Sequence, residues 1–122
     1  MDPLARKRRL VLADVAGERW VSVARTSGNR QVLDEFFGDA LPVPQAWVEV
    51  SHVATLLAMV EAGLGVGMVP SMAIERRHAS LKGVVLADAR PTRRIGLLSL
   101  EGARLKPVAQ RFYDHLRSAL VP

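Results

Sequence analysis

The sequence predicts an α/β fold built on a mixed, mostly parallel sheet flanked by helices, and three observations carry that prediction. A β-prone, alternately apolar stretch at Ala46–Val50 leads into a helical pattern in which Val53, Leu56, Leu57 and Val60 recur at three- and four-residue spacing. A second short apolar run follows at 66–69. Two short strands joined by one helix of about three turns fit a parallel crossover, in which the helix covers one face of the sheet. The stretch before it repeats the plan, with WVSV at 20–23, a polar loop, and then a helical face. Finally, 49% of the 122 residues are apolar and 24% charged, a globular composition whose few aromatics point to an aliphatic core.

Taken in order, residues 1–16 open with Pro3 and a basic run and continue into Leu10, Val11 and Leu12; they read as a connector with one short strand or turn. After strand 20–23, the polar run Ala24, Arg25, Thr26, Ser27, Gly28, Asn29 is rich in helix N-cap types. Val32, Leu33, Phe36 and Ala40 then hold one helical face, and Gly38 and the prolines of LPVP end it. Ser51 and His52 break the alternation of the next strand, so a helix should start there, and Gly63 sits where a left-handed C-terminal cap needs a residue without Cβ. Beyond Pro70, a short helix is expected at 72–77, strands at 84–86 and 94–100, and a terminal helix with Pro107 at its first position. Ala109, Phe112, Tyr113, Leu116 and Leu120 mark its apolar face. The total is about five strands and three or four helices in one domain or one lobe of a larger one.

Composition excludes several kinds of function. There is no cysteine, hence no disulfide framework, thiolate metal site or cysteine nucleophile. No run approaches the roughly 20 apolar residues of a membrane span, and the N-terminus lacks the apolar segment of a secretory signal, so a cytoplasmic protein is expected. HExxH, GxSxG and GxxxxGK are absent, and Ser51 beside His52 makes no triad, because adjacent residues do not face each other on a helix. His52, His78 and His115 are too scattered to propose a metal site. The glycines of GLGVGMVP follow a helix and lead into a strand, the wrong order for cradling phosphate; they read as cap and close packing. No enzyme, cofactor or metal is predicted. The net charge of +5 gathers at residues 6–9, 76–77 and 90–94 without interleaved aromatics, which favours solvated faces over a nucleic-acid surface.

The predicted topology also says where a ligand would lie. In open parallel sheets ligands collect at the carboxyl ends of strands, where the next helix presents unpaired N–H groups. Those places are Ser51, His52 and Val53, and a second one at Pro70 and Ser71.

Three segments, in the same order along the chain, resemble the C-terminal effector-binding region of LysR-type transcriptional regulators. DPLARKRRLVLADVAGERWV is similar to the family's passage from the first lobe to the second, where HPLA-like and laDLaGe motifs are usual. VEVSHVATLLAMVEAGLGVGMVP is similar to its most recognisable second-lobe segment, and RRIGLLSLEGARLKPVAQRFYDHLRSAL to its final strand and helix. The resemblance implies one lobe of a periplasmic-binding-protein-like (type II) fold. Residues 1–16 would be the inter-lobe connector, 17–103 the second effector-binding lobe, and 104–122 a terminal helix that packs on the first lobe. The family's winged helix-turn-helix and most of its first lobe have no counterpart in these residues, so a partial domain without direct DNA contact is expected. Where the family commonly has serine before the proline that opens the last helix, this chain has Lys106, which cannot accept a capping bond worth about 1 kcal/mol.

The implied function is effector sensing: a small molecule binds between two lobes, shifts their orientation and so biases an assembled regulator between DNA-bound states. The resemblance implies that Thr26 and Ser27 face the cleft with Ser51, His52, Val53 and Pro70. Hydroxyls and helix N-terminal amides would suit a carboxylate or another anion. Arg25 is a candidate partner for the anion and Thr55 a candidate from the first helical turn. Each of these residues also has a plainer reading, as a cap, a helix-start histidine, a surface arginine or a back-bonded threonine. A lobe without its partner should expose apolar surface, so a homo-oligomer is expected. Two alternatives stand beside this reading: a self-standing small-ligand-binding or protein-interaction module, and a basic nucleic-acid-binding protein.

Overall fold

Trp20–Val23 (β1) is the strand on which the N-terminal part of the fold is built. In the computed structural model, which describes residues 3–37, 45–74 and 80–120, the chain forms two compact units, Met1–Thr92 and Arg93–Pro122. The first unit runs through α1 (Pro3–Arg6), α2 (Leu12–Val15), β1, α3 (Gly28–Phe37), β2 (Ala46–Val50), α4 (Val53–Glu61) and a 3-10 turn at Ser71–Ala73. The expected end of α3 at Gly38 and Ala40, and the second half of the short helix expected at 72–77, lie outside the described residues.

Alternate side chains of a strand point to opposite faces, and β1 buries both. Trp20 joins Leu10, Leu12, Val15, Phe37, Leu86 and Ala89 in one cluster, with its indole N–H donating to the Val15 carbonyl at 3.0 Å. Val21 and Val23 enter a second cluster with Leu56, and Val48, Val50, Val53 and Val60 pack against it. Val21 and Leu56 are 0% and 1% exposed, so α4 seals this face while α3, through Leu33 and Phe37, covers the other. The sheet is thus a helix–sheet–helix sandwich in miniature.

β1 pairs in parallel with β2, matching Val21 to Val48, Ser22 to Glu49 and Val23 to Val50. Trp47 is an extra residue in the ladder between the partners of Trp20 and Val21, and it stands exposed under the Arg19 guanidinium, 5.4 Å from the ring centre. On its other edge β1 meets Val66: the Val21 amide donates to the Val66 carbonyl, and the Val66 amide to the Arg19 carbonyl, each at 2.9 Å. Every strand pairing among the described residues is parallel, including the bridge between Leu10 and Leu86. Two expected strands shrink to these single bridges.

Those glycines have the packing role expected of them. Gly63 takes φ +79° after α4, its amide donates to Val60 and that of Leu64 to Met59, the full left-handed helix cap. A Cβ on Gly65 would stand 2.4 Å from the Arg19 carbonyl oxygen, and one on Gly67 would stand 2.5 Å from a Leu56 methyl.

At the N-terminus, α2 starts without a side-chain cap from Val11, but the Asp14 carboxylate reaches back to the Val11 amide at 3.0 Å and takes the Lys7 ammonium at 3.0 Å. The amide bond and then the ammonium hold the Asp14 carboxyl below the usual aspartate range. The amide of Leu12 finds its acceptor far away in sequence, on the Asp88 carboxylate at 3.0 Å.

The second unit contains α5 (Pro107–Leu120), which starts at the expected proline. The Lys106 carbonyl accepts the Gln110 amide at 2.9 Å, so Lys106 occupies the cap position. The strand expected at 94–100 is not formed: the unit offers no second strand to pair with, and Ile95, Leu98 and Leu100 stand exposed. No described helix is long and apolar enough to cross a membrane.

Gly65→Ala should lower stability by about 1–3 kcal/mol, because its obstacle is backbone. Gly28→Ala, with nothing within 4 Å of the added carbon, should be neutral or stabilising by about 0.4–1 kcal/mol. Chemical denaturation of both variants checks this, and an equal loss at the two positions would contradict the close approach.

Candidate functional site

The carboxyl ends of β1 and β2 lie side by side, and the two helices that follow them leave in opposite directions. Val23 is matched to Val50, and the Ala24 amide donates to the Val50 carbonyl at 2.8 Å. From β1 the chain turns onto the Trp20 face as α3; from β2 it turns onto the Val21 face as α4. Adjacent parallel strands whose connections part to opposite faces leave a crevice between the two loops, flanked by two helix N-termini.

Most of the residues expected at a ligand site fall in these two loops. Arg25 and Thr26 are exposed in the turn closed by the Ser27 amide, which donates to the Ala24 carbonyl at 2.9 Å. Ser27 caps α3: its hydroxyl accepts the Asn29 amide at 3.3 Å, and its carbonyl accepts the Gln31 amide at 3.1 Å. Ser51 and His52 are exposed at the end of β2. His52 holds the cap position of α4 through its carbonyl, which accepts the Leu56 amide at 3.1 Å, but its side chain makes no cap bond. The cap side chain therefore supplies no acceptor to the first-turn amides of α4.

The remaining three stand differently. Val53 packs against the Val21, Val23 and Leu56 cluster, which gives it a core contact. Thr55 is exposed in the first turn of α4. Pro70 is half-buried at the start of the 3-10 turn, where its carbonyl accepts the Ala73 amide at 2.9 Å. The Val66 segment runs parallel to β1, so it carries Pro70 toward the same end of the sheet.

Two further residues matter to this geometry, Arg30, which the sequence did not single out, and Asn29, read from the sequence only as a cap candidate. Arg30 lies in the first turn of α3 with its side chain only 8% exposed. Its guanidinium donates to the Ser22 hydroxyl at 2.9 Å and to the Asp34 carboxylate at 2.9 Å, and stands 3.8 Å from the Glu49 carboxylate. One buried cation thus ties α3 to both strands of the registered Ser22–Glu49 pair, and it persists there because each side of the fork has an acceptor. The sequence signal was a serine between valines in WVSV facing a helix with arginine and aspartate four residues apart. Asn29 is the second. Its buried Nδ2, in the first turn of the same helix, has no hydrogen-bond partner among the described residues. The described residues contain no group of three acidic or histidine side chains that could hold a metal ion.

The capping role separates the serines. Ser27→Ala should cost about 1 kcal/mol by loss of the α3 cap. Thr26→Ala and Ser51→Ala should stay within about 0.5 kcal/mol of the parent protein, since their hydroxyls make no bond among the described residues. Thermal or urea unfolding of the three variants measures this; a cost for Ser51→Ala equal to that for Ser27→Ala would contradict the assignment.

Comparison with known proteins agrees with this architecture. The family model described as the LysR substrate binding domain matches residues 2–121. The HTH-type transcriptional regulator YbhD of Escherichia coli (strain K12) is 33% identical over 113 residues, which are 91% of this chain and 35% of that protein. The transcriptional activator protein LysR of the same organism is 39% identical over 67 residues, 55% of this chain and 22% of that protein. The chain therefore spans about a third or less of these regulators. Among solved structures, the effector binding domain of QuiR in complex with shikimate superposes with a TM-score of 0.69 at 22% identity, covering 93% of this chain and 54% of that one. A family match over nearly every residue, on a parallel sheet of the same fold, makes this chain a member of the LysR substrate-binding-domain family of transcriptional regulators.

Proposed function

We propose that the loops at 24–27 and 51–52 form one wall of an effector cleft, and that the chain senses a small anion whose recognised group is a carboxylate. The observation that carries this reading is the convergence of two parallel strand ends whose helices depart to opposite faces, so that two N-termini adjoin one crevice. Thr26, Ser51 and the spare capacity of Ser27 supply hydroxyls, and Arg25 and His52 supply side chains suited to an anion. Asn29 supplies a buried amide group without an acceptor among the described residues. Val53, Thr55 and Pro70 would line the margins. Shikimate, bound by the QuiR domain, is itself a hydroxylated carboxylate.

In this reading residues 17–103 are the second lobe of the sensor and 104–122 the helix that packs on the first. Effector bound between lobes favours one orientation over another, and the regulator's hold on DNA follows that preference. Its site of action is the cytoplasm. These residues contribute sensing and make no DNA contact of their own. The exposed Ile95, Leu98, Leu100 and Phe112 further support self-association of the chain.

Two measurements test the proposal. In NMR titrations of the 122-residue chain with shikimate and a panel of small carboxylates, weak binding is expected, with shifts at Thr26, Ser27, Asn29, Ser51 and His52. A Thr26→Ala/Ser51→Ala double variant should lose them without losing stability. Shifts centred elsewhere, or sub-micromolar binding by this one wall alone, would contradict it. Light scattering should show species larger than a monomer at high concentration, and a monodisperse monomer would refute self-association.

A further inference from the structure

A second anion-attracting feature lies away from the effector loops, where the N-terminal segment meets residues 82–90. The parallel bridge between Leu10 and Leu86, with the Ala87 amide donating to the Leu10 carbonyl at 2.8 Å, holds these segments together. Beside the bridge is an open concavity of about 600 Å³ into which Lys7, Arg8, Arg9, Lys82 and Arg90 face, and no acidic side chain among the described residues lines it. Two of the five cations are engaged, Lys7 with the Asp14 carboxylate and Lys82 with the Ala5 carbonyl. The nearby Asp88 carboxylate is committed to the Leu12 amide. Arg8, Arg9 and Arg90 have no anionic partner among the described residues. Like charges gathered in a concave wall raise the local potential more than the same charges spread over a convex surface.

We propose that this concavity binds a compact polyphosphate anion, held by the Arg8, Arg9 and Arg90 guanidiniums. Arginine forks match phosphate oxygens two at a time, and three unmatched guanidiniums suit a ligand carrying several negative charges. The wall between them is small and apolar, Gly83, Val84 and Val85, and lets an anion approach closely. The observations favour a compact anion over a nucleic acid. Among the described residues no aromatic ring lines the concavity to stack a base, and α1 and α2, four residues each, are too short to enter a groove as a reading helix.

The test is titration of the 122-residue chain with pyrophosphate at low salt, followed by NMR, with inorganic phosphate and a short DNA duplex as comparison arms. The expected result is saturable binding of pyrophosphate, weaker binding of phosphate, and shifts at Arg8, Arg9, Val84, Val85 and Ala87. Affinity should fall as salt rises. An Arg9→Gln/Arg90→Gln variant, altered only at exposed positions, should bind pyrophosphate at least tenfold more weakly, and Thr26→Ala/Ser51→Ala should bind it as the parent does. Binding unchanged in the arginine variant, shifts spread equally over Arg93, Arg94 and Arg104, or tighter binding of duplex than of pyrophosphate would each overturn the proposal.

Discussion

The parallel pairing of β1 with β2 is the constraint on which the rest of the first unit depends. It sets Val21 and Val23 beside Val48 and Val50 on one face, so α4 has a continuous apolar surface to cover. On the other face it sets Ser22 beside Glu49, where Arg30 bridges helix and sheet. Because the two ends are level at Val23 and Val50, the loops that follow start from one edge and part around it. A slip of one residue would turn the valines outward and undo core and crevice together.

Arg30 makes this arrangement specific rather than merely compact. Apolar clusters alone tolerate small shifts of α3 along the sheet, whereas a buried guanidinium must keep its acceptors or leave an uncompensated charge. Its position in the first turn of α3 means that the geometry of the Ser27 cap and of the 24–27 loop follows from the same bonds. The glycines at 65 and 67 contribute from the opposite edge, bringing the Val66 backbone against β1 and Leu56 against the sheet.

Much of this was legible in the sequence because the signals were local. Period-two alternation in AWVEV, helical spacing through Val53, Leu56, Leu57 and Val60, Ser27 before α3 and Asn29 in its first turn, Gly63 after α4 and Pro107 at the start of α5 each act within a few residues. The misses have a common physical origin in partners distant along the chain. Whether 66–69, 84–86 and 94–100 become strands depends on an available edge, and alternation within a segment cannot show that; only Val66 and Leu86 found one. Arg30 looked like any surface arginine until the fold set it over Ser22 and Glu49. The loops proposed to meet an effector were expected from topology and family resemblance, while Arg25, His52 and Thr55 carry no local pattern that separates ligand contact from exposure. Charge was legible only as clusters; that Arg8, Arg9 and Arg90 share a concavity depends on the Leu10–Leu86 bridge.

The central claim is that the level ends of β1 and β2 form the ligand-binding wall. A crystal structure of the chain soaked with a bound small carboxylate tests it most directly. The account predicts the carboxylate within about 2.7–3.2 Å of donors in the 24–29 and 51–55 segments, with Arg30 still seated on Ser22. A carboxylate seated elsewhere on the protein, with both loops bare, would contradict it.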